Sequence, residues 1–366
     1  THQAFACMIA CLKLGVAYVN LDPSSPLERL KKMLRTCEPK LIWDHSDSNI
    51  KRRALGDNWP PVFNYSTELF TKELERLPAS LPKENKHVHG SCVAYIMFTS
   101  GSTGFPKGAA ITHSNLLGFM AWSQNTFSIT QEDRLTNLNP MHFDNSVFDF
   151  YTAMFSGASL VPVSEDALKN PRYMLDALNS KNCTVWFSVP SLIVYTLKMR
   201  AMRGLDLPTL RLMVFGGEGF PKATLRVLAK LLMPRVRLVN VYGPTECTCI
   251  CSSYEVTNDD LISDELLPLG PIAPNISHLI VDERDRLVVN GDIGELLLGG
   301  PNVGAGYYRD AKKSSAAFVQ SPLHSSFYDI FYRTGDLVRY DAKRGVLLFC
   351  GRKDNQVKQM GHRIEL

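Results

Sequence analysis

Thr99-Ser100-Gly101-Ser102-Thr103-Gly104-Phe105-Pro106-Lys107-Gly108 follows directly on Val93 to Phe98, an apolar run that reads as a buried strand. Three glycines let the backbone approach a polyanion, clustered hydroxyls and amide N–H groups supply donors, and Lys107 adds a cation. The combination reads as a phosphate cradle, with a flexible Gly/Ser turn as the plain alternative. It is not a Walker A loop. That motif places four residues between its first glycine and a Gly-Lys-Ser/Thr sequence, whereas Lys107 follows Pro106 and precedes Gly108.

Outward from this loop the chain alternates helix and strand patterns. Phe5 to Leu14 is amphipathic and leads into a strand-like Ala17 to Leu21. After the Pro/Ser loop Asp22 to Pro26, Leu27 to Arg35 has helical spacing and Lys40 to Trp43 reads as a short strand. Ala79 to Gly90 is polar and proline-containing, a surface excursion. Asn115 to Ser128 returns to helix. Thr184 to Val189, Leu212 to Phe215 and Val236 to Val241 are short apolar runs expected to lie side by side. Such alternation predicts an α/β fold with a helix-covered parallel sheet. Beyond about Pro268, short Gly/Asp/Val-rich strands, among them Leu296 to Gly299 and Val346 to Cys350, predict a small β-barrel-like or antiparallel part.

With 366 residues, 45% of them hydrophobic, the chain can bury a large core and is neither disordered nor fibrous. The net charge of +4 comes from 40 basic and 36 acidic residues interspersed without long single-sign runs, so nothing points to nucleic acid or an anionic membrane. Phe5 to Leu21 is too short and too mixed to span a bilayer, and it lacks the layout of a secretory signal. Nine cysteines, an odd number in a well-stocked chain, suggest reduced thiols and a cytoplasmic setting.

Further segments in the same order carry a resemblance. Leu12 to Pro26 is similar to a pattern LKxGxAYVxxDP; Asn240 to Glu246 contains YGPTE; Gly294 to Tyr308 matches GELxxxG…GYY; Tyr332 to Asp336 reads YRTGD; and Gly351 to Leu366 resembles a hinge motif. With the Thr99 to Gly108 loop, these resemble the adenylate-forming superfamily of acyl-CoA synthetases, luciferases and nonribosomal peptide synthetase adenylation domains. The resemblance covers nearly the whole chain. It implies a layered αβαβα large domain, here residues 1–350 without its beginning, and a hinge at 351–366 that starts a small C-terminal subdomain. Ligands implied are ATP, Mg²⁺ and a phosphopantetheine thiol on a peptidyl or acyl carrier protein.

Residue roles follow by the same resemblance. Thr99 to Gly104 and Lys107 hold phosphates; Tyr242 and Gly243 border the adenine with Gly217 and Glu218; Thr245 donates to the α-phosphate; and Glu246 ligates Mg²⁺. Asp336 accepts from the ribose hydroxyls, Arg352 and Lys358 belong to the nucleotide site, and Asp354 is the hinge. Phe143-Asp144-Asn145-Ser146 resembles the FDxS motif of amino-acid-activating members. A carboxylate in an apolar pocket is costly unless paired, and an α-ammonium would pair Asp144; an aspartate capping the helix Val147 to Met154 is the alternative. The side-chain pocket would be lined by Asn145, Phe148, Ser191, Val214, Gly216, Val241, Cys249 and Ile250, mainly apolar, suiting a small or medium uncharged amino acid. The texture leans toward carrier-protein ligases of the D-alanine type.

Cys247, Cys249 and Cys251 alternate as on a strand, without the two-residue gaps of zinc knuckles, and read as buried small hydrophobes. His113, beside the phosphate loop, and His142, beside Asp144, are supporting candidates. Family members carry a catalytic lysine in the small domain that no residue here matches, so weak adenylation without thioester transfer is expected. Two other functions stand beside amino-acid activation: an acyl-CoA or aryl-acid synthetase, and a non-catalytic scaffold. Retention of Lys107, Glu246 and Asp336 speaks against the scaffold.

Overall fold

A computed structural model describes residues 1–44, 60–65, 67–80, 87–100, 105–204, 207–289, 291–354, 356–359 and 362–365, with the side chains of 69, 165, 356–359 and 362–365 outside that set. The first helix, His2–Leu14, starts on the Thr1 hydroxyl, which accepts from Ala4 N, and a second spans Leu27–Cys37. The expected strand at Ala17 to Leu21 does not form. Only Tyr18 bridges to Tyr95, after which the Asn20 amide donates to Met141 O at 2.9 Å and draws the chain away toward a distant loop.

Strands β1 (Ile42–Asp44) and β2 (Val62–Asn64) form a parallel pair. Strands β3 (Val93–Thr99) and β4 (Lys107–Thr112) form an antiparallel hairpin whose last pair, Thr99 opposite Lys107, holds both ends of the Ser100 to Pro106 connection. The helix His113–Phe127 follows, with a capping box between Thr112 and Asn115.

The large sheet contains β5 (Arg134–Asn137), β6 (Ser159–Pro162), β7 (Val185–Ser188), β8 (Leu212–Gly216), β9 (Arg237–Tyr242) and β10 (Ser252–Glu255) in the order β10-β9-β8-β7-β5-β6. All pairs are parallel except β9 with β10. The middle strands are continuous apolar runs because both faces are covered. Val185, Phe187, Val214, Val239 and Val241 enter one core with Phe119, Phe127 and Phe148. Trp186, Met213, Phe215 and Leu238 enter another with Leu225 and Leu228.

Beyond residue 270 the chain forms a five-stranded antiparallel sheet, as the texture of that region predicts. It contains β11 (Ser277–Val281), β12 (Gly294–Gly299), β13 (Phe318–Gln320), β14 (Ile330–Asp341) and β15 (Val346–Arg352). A last hairpin pairs β16 (Gln356–Gln359) with β17 (His362–Glu365). No helix among the described residues is long and apolar enough to cross a membrane.

Candidate active site

Because β5, β7, β8 and β9 run parallel, their C-terminal ends share one edge of the sheet, the place where open α/β sheets collect ligand-binding loops. Asn137, Ser188, Gly216 and Tyr242 end those strands. The segments that follow carry Phe143 to Asn145, Ser191 in the first turn of a helix, Gly217 to Gly219 and Gly243 to Glu246. Two of these exits require glycine. Gly217 has φ 91°, and a Cβ on Gly243 would lie 2.2 Å from Cys249 O.

The turn after β9 is tight. Thr245–Cys247 form one 3₁₀ turn, and Thr248 and Cys249 then take left-handed φ values of 60° and 75°, uncommon for residues with a Cβ. Its position is fixed from outside: Gly304 N donates to Glu246 O at 2.8 Å and the Thr248 hydroxyl donates to Asn302 O at 2.7 Å. The turn directs Cys249 and Ile250 into the core beside Phe148, Val214 and Val241, and that packing offsets the strain. Asn145 and Ser191 are half-buried, and Gly216 is buried.

Asp144 stands where a helix cap would stand, yet its side chain caps nothing. Its Oδ2 instead accepts from the Thr245 hydroxyl at 2.5 Å, across 101 residues of sequence. The helix-cap alternative is therefore not what this aspartate does. Glu218 accepts from Ser191 N at 2.7 Å, tying the Gly217 to Gly219 loop to the start of the helix Pro190–Lys198.

A second cluster joins β9 to the antiparallel sheet. The Tyr242 hydroxyl donates to Asp336 Oδ2 at 2.6 Å, and Arg352 Nη1 donates to Asp336 Oδ1 at 2.7 Å. Arg352 also forks onto Asp354, from Nε to Oδ1 at 2.8 Å and from Nη2 to Oδ2 at 2.7 Å. Burial, and then the Asp336 charge, push the Tyr242 phenol well above its ordinary pKa, so it remains a donor. Burial alone would lower the Arg352 guanidinium, but its bonds to Asp354 and Asp336 outweigh that and raise it.

A third cluster gathers the cation and the buried acid. The segment 303–308 lies along β4, with Ala110 N bonded to Gly306 O and Tyr308 N to Gly108 O. This sets Tyr307 between two candidates: its hydroxyl donates to Glu246 Oε1 at 2.8 Å, and Lys107 Nζ lies 5.7 Å from its ring centroid. Glu246 is fully buried.

The model of the AMP-binding enzyme family matches residues 1–308. This chain belongs to the AMP-binding enzymes. It is 35% identical over 361 residues to the D-alanine--D-alanyl carrier protein ligase of Bacillus licheniformis, covering 98% of this chain and 68% of that protein. It is 32% identical over 380 residues to the L-proline--[L-prolyl-carrier protein] ligase of Streptomyces coelicolor, again covering 98% and 68%. Among solved structures, holo-PA1221, an NRPS protein containing adenylation and PCP domains, superposes with a TM-score of 0.86 at 28% identity, covering 100% of this chain and 60% of that one. With such relatives, this AMP-binding enzyme is an ATP-dependent ligase of the adenylate-forming class.

In this AMP-binding enzyme the three clusters unite residues expected from five separate motifs. Gly101, Ser102, Thr103 and Gly104 lie outside the described residues, and so does the side chain of Lys358, which is carried on β16. Thr99 ends β3 with a buried hydroxyl that has no partner among the described residues, and Ser100 follows it half-buried. His113 is not beside the phosphate loop: it starts a helix at the far end of β4, about 20 Å along the strand from Lys107. His142 lies tilted against Phe143, with ring centroids 4.7 Å apart and 43° between the ring planes. Cys247 and Cys251 do not alternate on a strand; the 3₁₀ turn and two left-handed residues replace it, and Cys251 Sγ reaches Cys247 O. Burial pushes the Cys247 and Cys249 thiols well up.

Two residues escaped the sequence reading. Tyr307 lay inside a matched motif, but nothing in its spacing marked a hydrogen bond to Glu246. Asp149 follows the buried Phe148 on the π-helical turn Phe148–Thr152. It is buried, and its Oδ2 accepts from the Asn139 amide at 3.0 Å and the Asn137 amide at 3.5 Å. Burial, which outweighs those amides, raises its carboxyl well above the usual range.

Proposed function

We propose that this chain activates an amino acid for a carrier protein. A carboxylate oxygen of the amino acid attacks the α-phosphorus of ATP, the α–β phosphoanhydride bond breaks, and aminoacyl-AMP and pyrophosphate form. In the full reaction of such ligases the aminoacyl group then passes to a phosphopantetheine thiol on the carrier, releasing AMP; for this chain the adenylation half is the activity proposed. The observation that carries this reading is Asp144: a half-buried carboxylate beside Cys249, engaged by Thr245 rather than by a helix end. An α-ammonium is the partner that such an acid suits. The names of the two carrier-protein ligases above, for D-alanine and L-proline, support the same class of substrate.

On this reading Lys107 and the loop before it hold phosphates, Tyr242 covers the adenine, and Asp336 accepts from the ribose. Mg²⁺, bound with the phosphates, neutralises their charge. The donor chemistry fits, since Glu246 is a carboxylate oxygen donor of the kind this hard cation takes beside substrate phosphates. With the side-chain site assigned to the apolar residues Phe148, Val214, Val241, Cys249 and Ile250 and the polar Asn145 and Ser191, charged side chains are rejected, because an unpaired buried ion costs several kcal/mol, and a small or medium uncharged one is favoured. The setting is cytoplasmic, where ATP and reduced thiols coexist.

The test is calorimetric titration with Mg²⁺ and α,β-methylene-ATP present, an analogue whose α–β bond does not break. The panel holds glycine, D- and L-alanine, L-proline, aspartate, lysine, propionate and benzoate. Binding confined to the uncharged amino acids supports the proposal. Equal or tighter binding of propionate or benzoate overturns it in favour of an acyl or aryl acid.

A further inference from the structure

The Thr245 hydroxyl carries one proton, and the Asp144 carboxylate receives it at 2.5 Å. Thr245 is also the residue assigned to the α-phosphate, so two anionic acceptors address one donor. The turn that holds it cannot drift to serve both. Cys247 N bonds to Pro244 O at 2.9 Å and Gly304 N to Glu246 O at 2.8 Å, while Thr248 and Cys249 are locked in left-handed conformations. What can change is the direction of the hydroxyl proton.

We propose that the Thr245–Asp144 hydrogen bond couples the amino-acid site to the nucleotide site. The ammonium of the amino acid supplies Asp144 with its own charged donors and so turns the Thr245 proton over to the α-phosphate. Each substrate then tightens the other, and by linkage the factor is the same in both directions. No covalent step is involved. The inference rests on the amino-acid reading above, because an acid without an amine brings Asp144 no replacement donor. It goes beyond that reading by making Thr245 a sensor of substrate occupancy as well as a phosphate contact.

The experiment measures the dissociation constant of Mg-α,β-methylene-ATP with and without a saturating concentration of the amino acid that gives the largest heat in the panel. Wild type, Thr245→Val and Thr245→Ser are compared. A charge-assisted hydrogen bond released in one site and made in the other corresponds to a coupling about tenfold larger in wild type than in Thr245→Val. The attraction between ammonium and phosphate survives in both. Thr245→Ser, which keeps the hydroxyl, retains the wild-type factor. Equal coupling in wild type and Thr245→Val, or loss of coupling in Thr245→Ser as well, overturns the inference. Asp144→Ala separates the two levels. If that variant still binds the amino acid normally, the amino-acid reading itself falls; if it loses binding while Thr245→Val keeps full coupling, only the sensor does.

Discussion

Tyr307→Phe removes one oxygen atom and, with it, the hydrogen bond to Glu246 Oε1 at 2.8 Å. The ring stays, and so does the contact with Lys107. Glu246 is fully buried, so no bulk water replaces the lost donor at no cost. A hydrogen bond to a charged group contributes about 1.5–3 kcal/mol. With a urea slope of about 3 kcal/mol/M for a chain of this size, the unfolding midpoint drops by about 0.5–1 M. The assay is urea unfolding followed by fluorescence, without ligands and with identical buffer for both proteins. A midpoint within about 0.2 M of wild type, at unchanged slope, would show that Tyr307 does not hold Glu246 and would remove the basis of the third cluster.

Asp149→Asn bears on pH. The folded-state pKa of Asp149 is raised by burial, so between its unfolded value near 3.9 and that raised value the folded chain holds a proton the unfolded chain has lost. Stability from this group is complete below about pH 4 and falls as pH rises, by up to about 1.4 kcal/mol per pH unit. Asparagine does not titrate, so the variant gives a flatter stability curve as pH rises above about 4; parallel urea curves for the two proteins would contradict this. Gly243→Ala puts a methyl 2.2 Å from Cys249 O and 2.7 Å from Ile250 Cα, both backbone atoms, and is expected to cost at least about 3 kcal/mol or to abolish soluble expression. Arg352→Lys replaces a planar fork that serves Asp336 and Asp354 together with a point charge that cannot. Its Mg-ATP affinity falls about tenfold by calorimetry, the equivalent of about 1.4 kcal/mol, and an unchanged affinity would detach Arg352 from the nucleotide site.

The parts of the fold that could be read in sequence were those set by local pattern. Strands β7, β8 and β9 stood out as apolar runs because burial on both faces removes the alternation a half-exposed strand would show. The loop after β3 and the acids at Asp144, Glu246 and Asp336 were marked by residue type and order. What could not be read was which of them meet. The Thr245–Asp144 bond spans 101 residues and the Tyr242–Asp336 bond spans 94, and no period or propensity encodes such pairings. The left-handed turn at Thr248 and Cys249 was hidden for another reason: neither residue is glycine or asparagine, so tertiary packing overrides the alternating strand that Cys247 to Cys251 suggests. Ala17 to Leu21 failed as a strand likewise, because Asn20 finds its partner at Met141 and the segment leaves the hairpin after Tyr18.

The central claim is that Asp144 receives the ammonium of an amino acid. Its most direct test is the amino-acid dissociation constant of Asp144→Ala against wild type, measured calorimetrically with Mg-α,β-methylene-ATP saturating and with nucleotide affinity measured in the same proteins. The account predicts that amino-acid binding weakens at least about a hundredfold, the equivalent of about 2.7 kcal/mol for a buried charge pair, while the nucleotide still binds. Amino-acid affinity unchanged in Asp144→Ala would contradict it.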